Sequence, residues 1–209
     1  MRVAPSGLQA DHDQYRVLGE RMRRALLMMW ALLLTTPAAA ETLSWEGVGT
    51  VRLGMDVKAA EQALKTKLLP RQPPFEDDQC YVTWRADGHD PGLGYVLEQG
   101  RITVIQVYSS DGKAPEVVDT HGLAIGARED AIRGAYGQVK KTLGFYDRGS
   151  DAKVEQGSKE GASDYSPEYV FELESPDHKR SILLTTQAGK IISLSTGLKP
   201  MILEPEPCQ

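Results

Sequence analysis

The chain has 209 residues, with 24 Lys and Arg against 29 Asp and Glu, a formal net charge of −5 at pH 7, and two cysteines. No Lys/Arg-rich run occurs, so nucleic-acid binding and adhesion to an anionic membrane surface have no electrostatic basis. There is also no Gly-x-Ser-x-Gly elbow, His-Glu-x-x-His zinc helix, Cys-x-x-Cys pair or phosphate-binding glycine loop, and neither a metal nor a cofactor is assigned.

Met22-Arg23-Arg24 is a short basic start. It leads into ten apolar residues, Ala25 to Leu34, and then Ala38-Ala39-Ala40. This three-part order predicts a signal peptide over 22–40, cut between Ala40 and Glu41. Ten apolar residues reach about half of the roughly 20 needed to cross a bilayer, so no stable span is expected after cleavage. No cysteine follows the run, so no lipid anchor is expected. Residues 1–21 are polar and precede the basic start, which suggests that translation begins at Met22. Residues 41–209 carry 19 Lys and Arg against 26 Asp and Glu. The location expected is periplasmic or secreted. In such a compartment the pair Cys80 and Cys208 predicts a disulfide.

Two phrases organise the exported part. Leu53-Gly54-Met55-Asp56 opens a helical pattern over about Asp56 to Leu68, with Ala60 and Leu64 on its apolar face and Asp56 as N-cap. Glu61 and Lys65 are spaced for an ion pair on that helix. Ile125-Gly126-Ala127-Arg128 opens a second helix, about Glu129 to Tyr136, closed by Gly137. After the first come Tyr81 to Trp84 and a hairpin, Leu93 to Glu98 and Arg101 to Tyr108, turning at Gln99-Gly100. After the second come Gln138 to Tyr146, Tyr169 to Leu173 and a hairpin turning at Ala188-Gly189. The expected class is α+β. Two tandem modules, 41–110 and 121–198, each have a short helix before an antiparallel sheet of three to four strands. Residues 41–52 read as a polar lead-in, 111–120 as a linker, 147–166 as a polar insertion and 199–209 as a tail.

Leu53-Gly54-Met55, Gly122-Leu123-Ala124-Ile125-Gly126 and Ala135-Tyr136-Gly137 together resemble the tandem modules of small exported bacterial proteins. These are the beta-lactamase inhibitor protein and the outer-membrane assembly lipoproteins of the SmpA/OmlA type. The resemblance spans most of 44–198 and implies binding of another envelope or secreted protein without catalysis. The lipoproteins' N-terminal lipid cysteine is missing here, and no contact set of the inhibitor carries over.

Among the sheet aromatics, Trp84, Tyr95 and Tyr108 are candidates for an exposed binding surface; core packing is the plainer reading for each. Asp77, Asp78, His89 and Asp90 form the densest group of potential ligands and define the alternative, a metal-dependent hydrolase. Two solvated acidic loops flanking a strand explain that group as well. His121 and His178 stand alone, with no nucleophile tied to them.

Overall fold

The computed structural model describes residues 40–71, 79–148, 166–206 and 208. These form an α+β fold with one sheet of four strands, one of seven and two α-helices. Residues 41–52 fold into β1 (Glu41–Ser44), β2 (Gly47–Val48) and β3 (Val51–Arg52). The supposed linker supplies β7 (Val117–Asp119), which pairs with β1 in parallel, Glu41 opposite Val117. These strands make the small sheet, in the order β3-β2-β1-β7.

The large sheet contains β4 (Cys80–Thr83), β5 (Leu93–Glu98), β6 (Arg101–Tyr108), β8 (Lys140–Leu143), β9 (Glu168–Glu174), β10 (Arg180–Gln187) and β11 (Lys190–Leu198). Its order is β4-β5-β6-β11-β10-β9-β8, antiparallel throughout. The strands of the two halves therefore join in one sheet through β6 and β11 rather than forming separate sheets.

Both helices have eight residues, too few to persist alone in water, so packing holds them. Asp56 caps α1 (Val57–Leu64), its Oδ1 accepting from the Ala59 N–H at 2.7 Å. The helix stops four residues before the expected end because Lys65 turns left-handed, φ 56°. Residues 66–69 then leave to cover the edge of β4, with Leu69 N–H donating to Trp84 O and Ala86 N–H to Lys67 O, both 2.8 Å. The expected Glu61–Lys65 pair is consequently replaced by Glu61–Lys67 at 2.7 Å. In α2 (Glu129–Tyr136) two acidic residues open the first turn and Gly137 closes the last, as the sequence predicts.

Alternation sends Leu93, Tyr95 and Leu97 to the face that packs against the helices and small sheet, where they meet Ile105, Phe171, Leu184, Ile191 and Leu194. Each fully buried Leu or Ile there contributes about 1.5–3 kcal/mol. The opposite face starts with Cys80 and Val82 and continues through Gly94 and Val96. A cross-strand row, Gly94–Gln106–Ser195–Leu183–Glu172–Lys140, then spans it from β5 to β8.

The last residues are not a free tail. After β11 the chain makes a short 3-10 turn, Met201–Leu203, and Ile202 packs with Val96 and Val104 on this second face. Cys208 is bonded to Cys80 on β4, with Cα atoms 4.9 Å apart. The strap thus crosses from β11 to β4 and covers half of the face. Gly197 lies beneath it: a Cβ there would stand 2.9 Å from Ile202 Cβ and from Thr103 O. Gly197→Ala is expected to cost about 1–3 kcal/mol by overpacking, since a backbone oxygen cannot swing aside. Gly94→Ala should cost less, because its nearest neighbour is the Trp84 side chain at 3.3 Å. Urea midpoints of the two variants check that order, and equal midpoints would refute it.

Candidate functional site

Beside the strap, the second face from β6 across β11, β10 and β9 to β8 is left as a trough of about 790 Å³. Such a volume is in the range of ligand pockets, ~300–1,000 Å³. Its floor is small and polar: Gln106, Ser193, Ser195 and Thr185, with Leu183 and Val170 between them. One wall is the strap, with Met201 and Leu203. The other is a 3-10 turn, Phe145–Asp147, that leaves β8.

That turn is held by a carboxylate. Asp147 is 3% exposed, and its Oδ2 accepts the Glu168 N–H at 2.7 Å. Gly144 N–H donates to Glu168 O at 2.8 Å, so both ends of the turn are tied to the start of β9. Asp147 thus belongs to the fold rather than to a polar insertion; residues 149–165 of that insertion lie outside the described residues. With the buried aspartate facing inwards, the rings of Phe145 and Tyr146 face outwards, 53% and 67% exposed. They meet edge to face at 5.3 Å. Tyr146 also donates its hydroxyl to Glu206 of the strap, so the two walls touch.

The charges in and beside the trough fall into two sets. Glu172 accepts from Lys140 at 2.8 Å and from Ser181 at 3.2 Å and pairs with Lys199 at 3.1 Å, while Lys199 also bonds Glu174. This set is balanced. Burial pushes the Glu172 carboxyl up, but the hydrogen bonds from Lys140 and Lys199 overcome it and leave the group below its ordinary value. In the core, Glu129 behaves alike: burial raises it, and hydrogen bonds from Lys141 and Thr186 bring it down. Carboxyls held below their unfolded value stabilise the fold above about pH 4.3, and this stability is lost as pH falls through their folded values. Half-buried Glu41, raised by desolvation, acts in the opposite direction. The urea midpoint should therefore fall steadily below about pH 4.5, and Glu129→Gln should flatten that slope. An unchanged slope would show that the Glu129 bonds contribute nothing. The second set is unbalanced. Among the described residues Glu168 and Glu204 have no side-chain partner, and the guanidinium of Arg148 bonds only Leu143 O, at 3.2 Å.

Of the three surface aromatics expected from the sequence, Tyr95 is a correction. It is fully buried on the helix-covered face, its hydroxyl finds no hydrogen-bond partner, and burial drives its ionisation well up. Strand β5 is buried on both faces, so alternation alone could not tell its wet side. Trp84 and Tyr108 are half-buried and face each other over Gly94, with Trp84 Nε1 donating to Tyr108 Oη at 2.8 Å. They lie outside the trough. Phe145 and Tyr146 were missed because they sit in what looked like the end of a strand. The available signal was a pair of adjacent aromatics followed by Asp147 at the edge of a polar segment.

The structure brings His89 and Asp90 together, Nδ1 to Oδ2 2.5 Å, but places Arg85 among them. Arg85 grips Asp87 through two bonds of 3.1 and 2.9 Å and reaches Asp90 at 3.8 Å. The hydrogen bond from Arg85 holds the Asp87 carboxyl far below the usual carboxylate range. The arrangement staples the loop between β4 and β5. Asp77 and Asp78 lie outside the described residues, and no group of three or more His, Cys, Asp or Glu among the described residues could hold a metal ion. No described helix is long and apolar enough to cross a membrane. The resemblance drawn from the sequence has to stand on its own residues: comparison with family models, curated proteins and solved structures gives no match to this chain.

Proposed function

We propose that the chain is an exported, non-catalytic binding protein of two tandem α+β modules, and that the trough receives part of another envelope or secreted protein. One observation carries this reading. Three of the four large apolar side chains exposed among the described residues, Phe145, Tyr146 and Leu203, border the same trough. Scattered singly they would need no explanation, but gathered around a concave polar floor they match the anatomy of a protein interface.

Export is supported by the basic start and apolar run ahead of Glu41 and by the disulfide. Glu41 is the first residue of β1, its N–H bonded to Glu116 O at 2.8 Å. A chain cut after Ala40 keeps that bond through its new ammonium group. The periplasm or the extracellular space is the compartment this implies.

The tandem reading rests on matching details. Gly54 N–H donates to Ile102 O and Ile102 N–H to Met55 O; Gly126 N–H donates to Ile191 O and Ile191 N–H to Ala127 O. Each helix entrance is thus anchored to the second strand of its own hairpin by the same two bonds. Each hairpin also shifts register by one residue at the next position, Thr103 and Ile192. These details favour the same tandem architecture as the exported inhibitor and lipoprotein modules named above.

Photo-cross-linking in cells of the native organism tests the reading, with the cross-linkable residue at Leu203 on the strap and, as a control, at Lys58 on α1. A single partner captured from Leu203 and absent from Lys58 supports it. Equal capture from both positions, or none from Leu203, sinks it.

A further inference from the structure

The geometry points to a basic, extended peptide segment of that partner as the occupant of the trough, with a lysine or arginine between Glu168 and Glu204 and its chain on the hydroxyl-rich floor. This rests on the trough being the binding site, and adds the chemistry that the site selects.

Charge complementarity carries the inference. Lys140 and Lys199 are already committed to Glu172 and Glu174, which cancels two positive against two negative charges. What remains is Glu168 by the aromatic wall, Glu204 on the strap, Glu206 accepting from Tyr146, and the single cation Arg148. The balance is negative, as is that of the whole chain, −5. An approaching cation is attracted by both, and an anion is repelled. The exposed rings of Phe145 and Tyr146 add to this, since a cation over an aromatic face gains further stabilisation when partly desolvated. Arg148 takes that role only for Phe145 and only at the outer reach of the contact, its guanidinium carbon 6.0 Å from the ring centroid and its Nε turned back to Leu143 O, which leaves the more exposed Tyr146 ring to the ligand.

The floor explains why the segment is extended. Ser193, Ser195, Thr185 and Gln106 offer hydroxyl and amide groups that can donate or accept, and none of these four is bonded to another side chain among the described residues. A peptide backbone needs such partners along its length once water is excluded. Leu183 and Val170 lie between them for small apolar side chains.

The test uses the oxidised protein obtained from the full-length chain and three capped hexapeptides: alternating Ser-Lys, Ser-Gln and Ser-Glu. Amide-shift perturbation by NMR gives both affinity and location. The Ser-Lys peptide is expected to bind best, with shifts confined to β8–β11, Val104 and Gln106 of β6, residues 144–148 and 201–206, and affinity falling as salt rises. Glu168→Gln with Glu204→Gln should weaken it about tenfold, as two partly screened ion pairs would. Glu116→Gln, an exposed site away from the trough, should leave it unchanged. Equal or better binding of Ser-Gln or Ser-Glu at the same residues would overturn the basic chemistry while leaving the trough as a peptide site. Shifts elsewhere, no binding by any of the three, or no loss in the Glu168/Glu204 variant would overturn the inference outright. The cross-linking from Leu203 decides the broader reading independently.

Discussion

Replacing both cysteines, Cys80→Ser with Cys208→Ser, is expected to lower stability by about 3–5 kcal/mol. The two residues are 128 apart in sequence, so the bond closes all seven strands of the large sheet, β7 and α2 into one loop. In the chain-entropy view a loop of this size restricts the unfolded state by about 5 kcal/mol, and measured losses for native disulfides fall around 2–5. A local contribution comes on top. Without the bond, the strap is left with the packing of Met201 and Ile202 around Val96, Val104 and Leu183 and with the Tyr146–Glu206 contact. Releasing it bares those valines and removes one wall of the trough. The variant should therefore unfold at lower urea and also lose affinity for whatever the trough binds, even under conditions where the sheet remains folded. Truncation after Leu198 removes the wall and the bond together, so its difference from the serine variant measures what the packing of the strap contributes without the bond. If the serine variant matched the wild type in urea midpoint, the strap would be held by its packing alone.

The strap also shows where the sequence was legible and where it was not. Strands β5 and β6 announce themselves by alternation and by Gln99-Gly100, and β10 and β11 by a similar pattern with Ala188-Gly189; all four formed around the expected turns, while the register shift in each hairpin carried no signal. Helix α2 carries its boundaries in its acidic first turn and Gly137. By contrast β1, β2 and β3 are two to four residues long, too short for periodicity to rise above chance. The parallel partner of β1, β7, lies 76 positions away, Glu41 to Val117, and carries no turn signal linking the two. Such strands are specified by tertiary packing, with Leu43, Val48 and Val117 all buried. The trough was hidden for a related reason. It exists only because the strap covers one half of the sheet, and nothing in residues 199–209 except Cys208 marks them as part of a wall. The exposure of Phe145 follows from Asp147 turning inwards, which no pattern of apolar residues encodes.

Asp119→Ala is expected to cost about 3–5 kcal/mol, since each buried donor that loses its acceptor costs about 1–3 kcal/mol. Asp119 is 2% exposed at the end of β7, and three donors converge on it. Its Oδ1 accepts from the N–H groups of His121 and Leu123, both at 2.8 Å, and its Oδ2 from the Tyr136 hydroxyl at 2.7 Å. It thereby ties the small sheet, the tight loop 120–123 and the last turn of α2 into one unit. Alanine removes the acceptor and strands all three donors, whereas Tyr136→Phe removes a single hydroxyl and should cost about 1–2 kcal/mol. A double-mutant cycle in urea should show less than additive losses, because the second change has less to lose once the first is made. The same contact predicts an alkaline limit. Burial first, and then Asp119, raise the Tyr136 phenol well above its ordinary value. A group whose folded value is raised contributes stability below its unfolded value, about 10, and that contribution disappears as pH rises through the folded one. Tyr95, raised by burial, adds to the same loss. Wild type should therefore destabilise above about pH 10, and Tyr136→Phe should soften that fall while starting from a lower plateau. If Asp119→Ala left the midpoint within about 1 kcal/mol of wild type, water would be replacing the carboxylate and the junction would be wetter than its burial indicates.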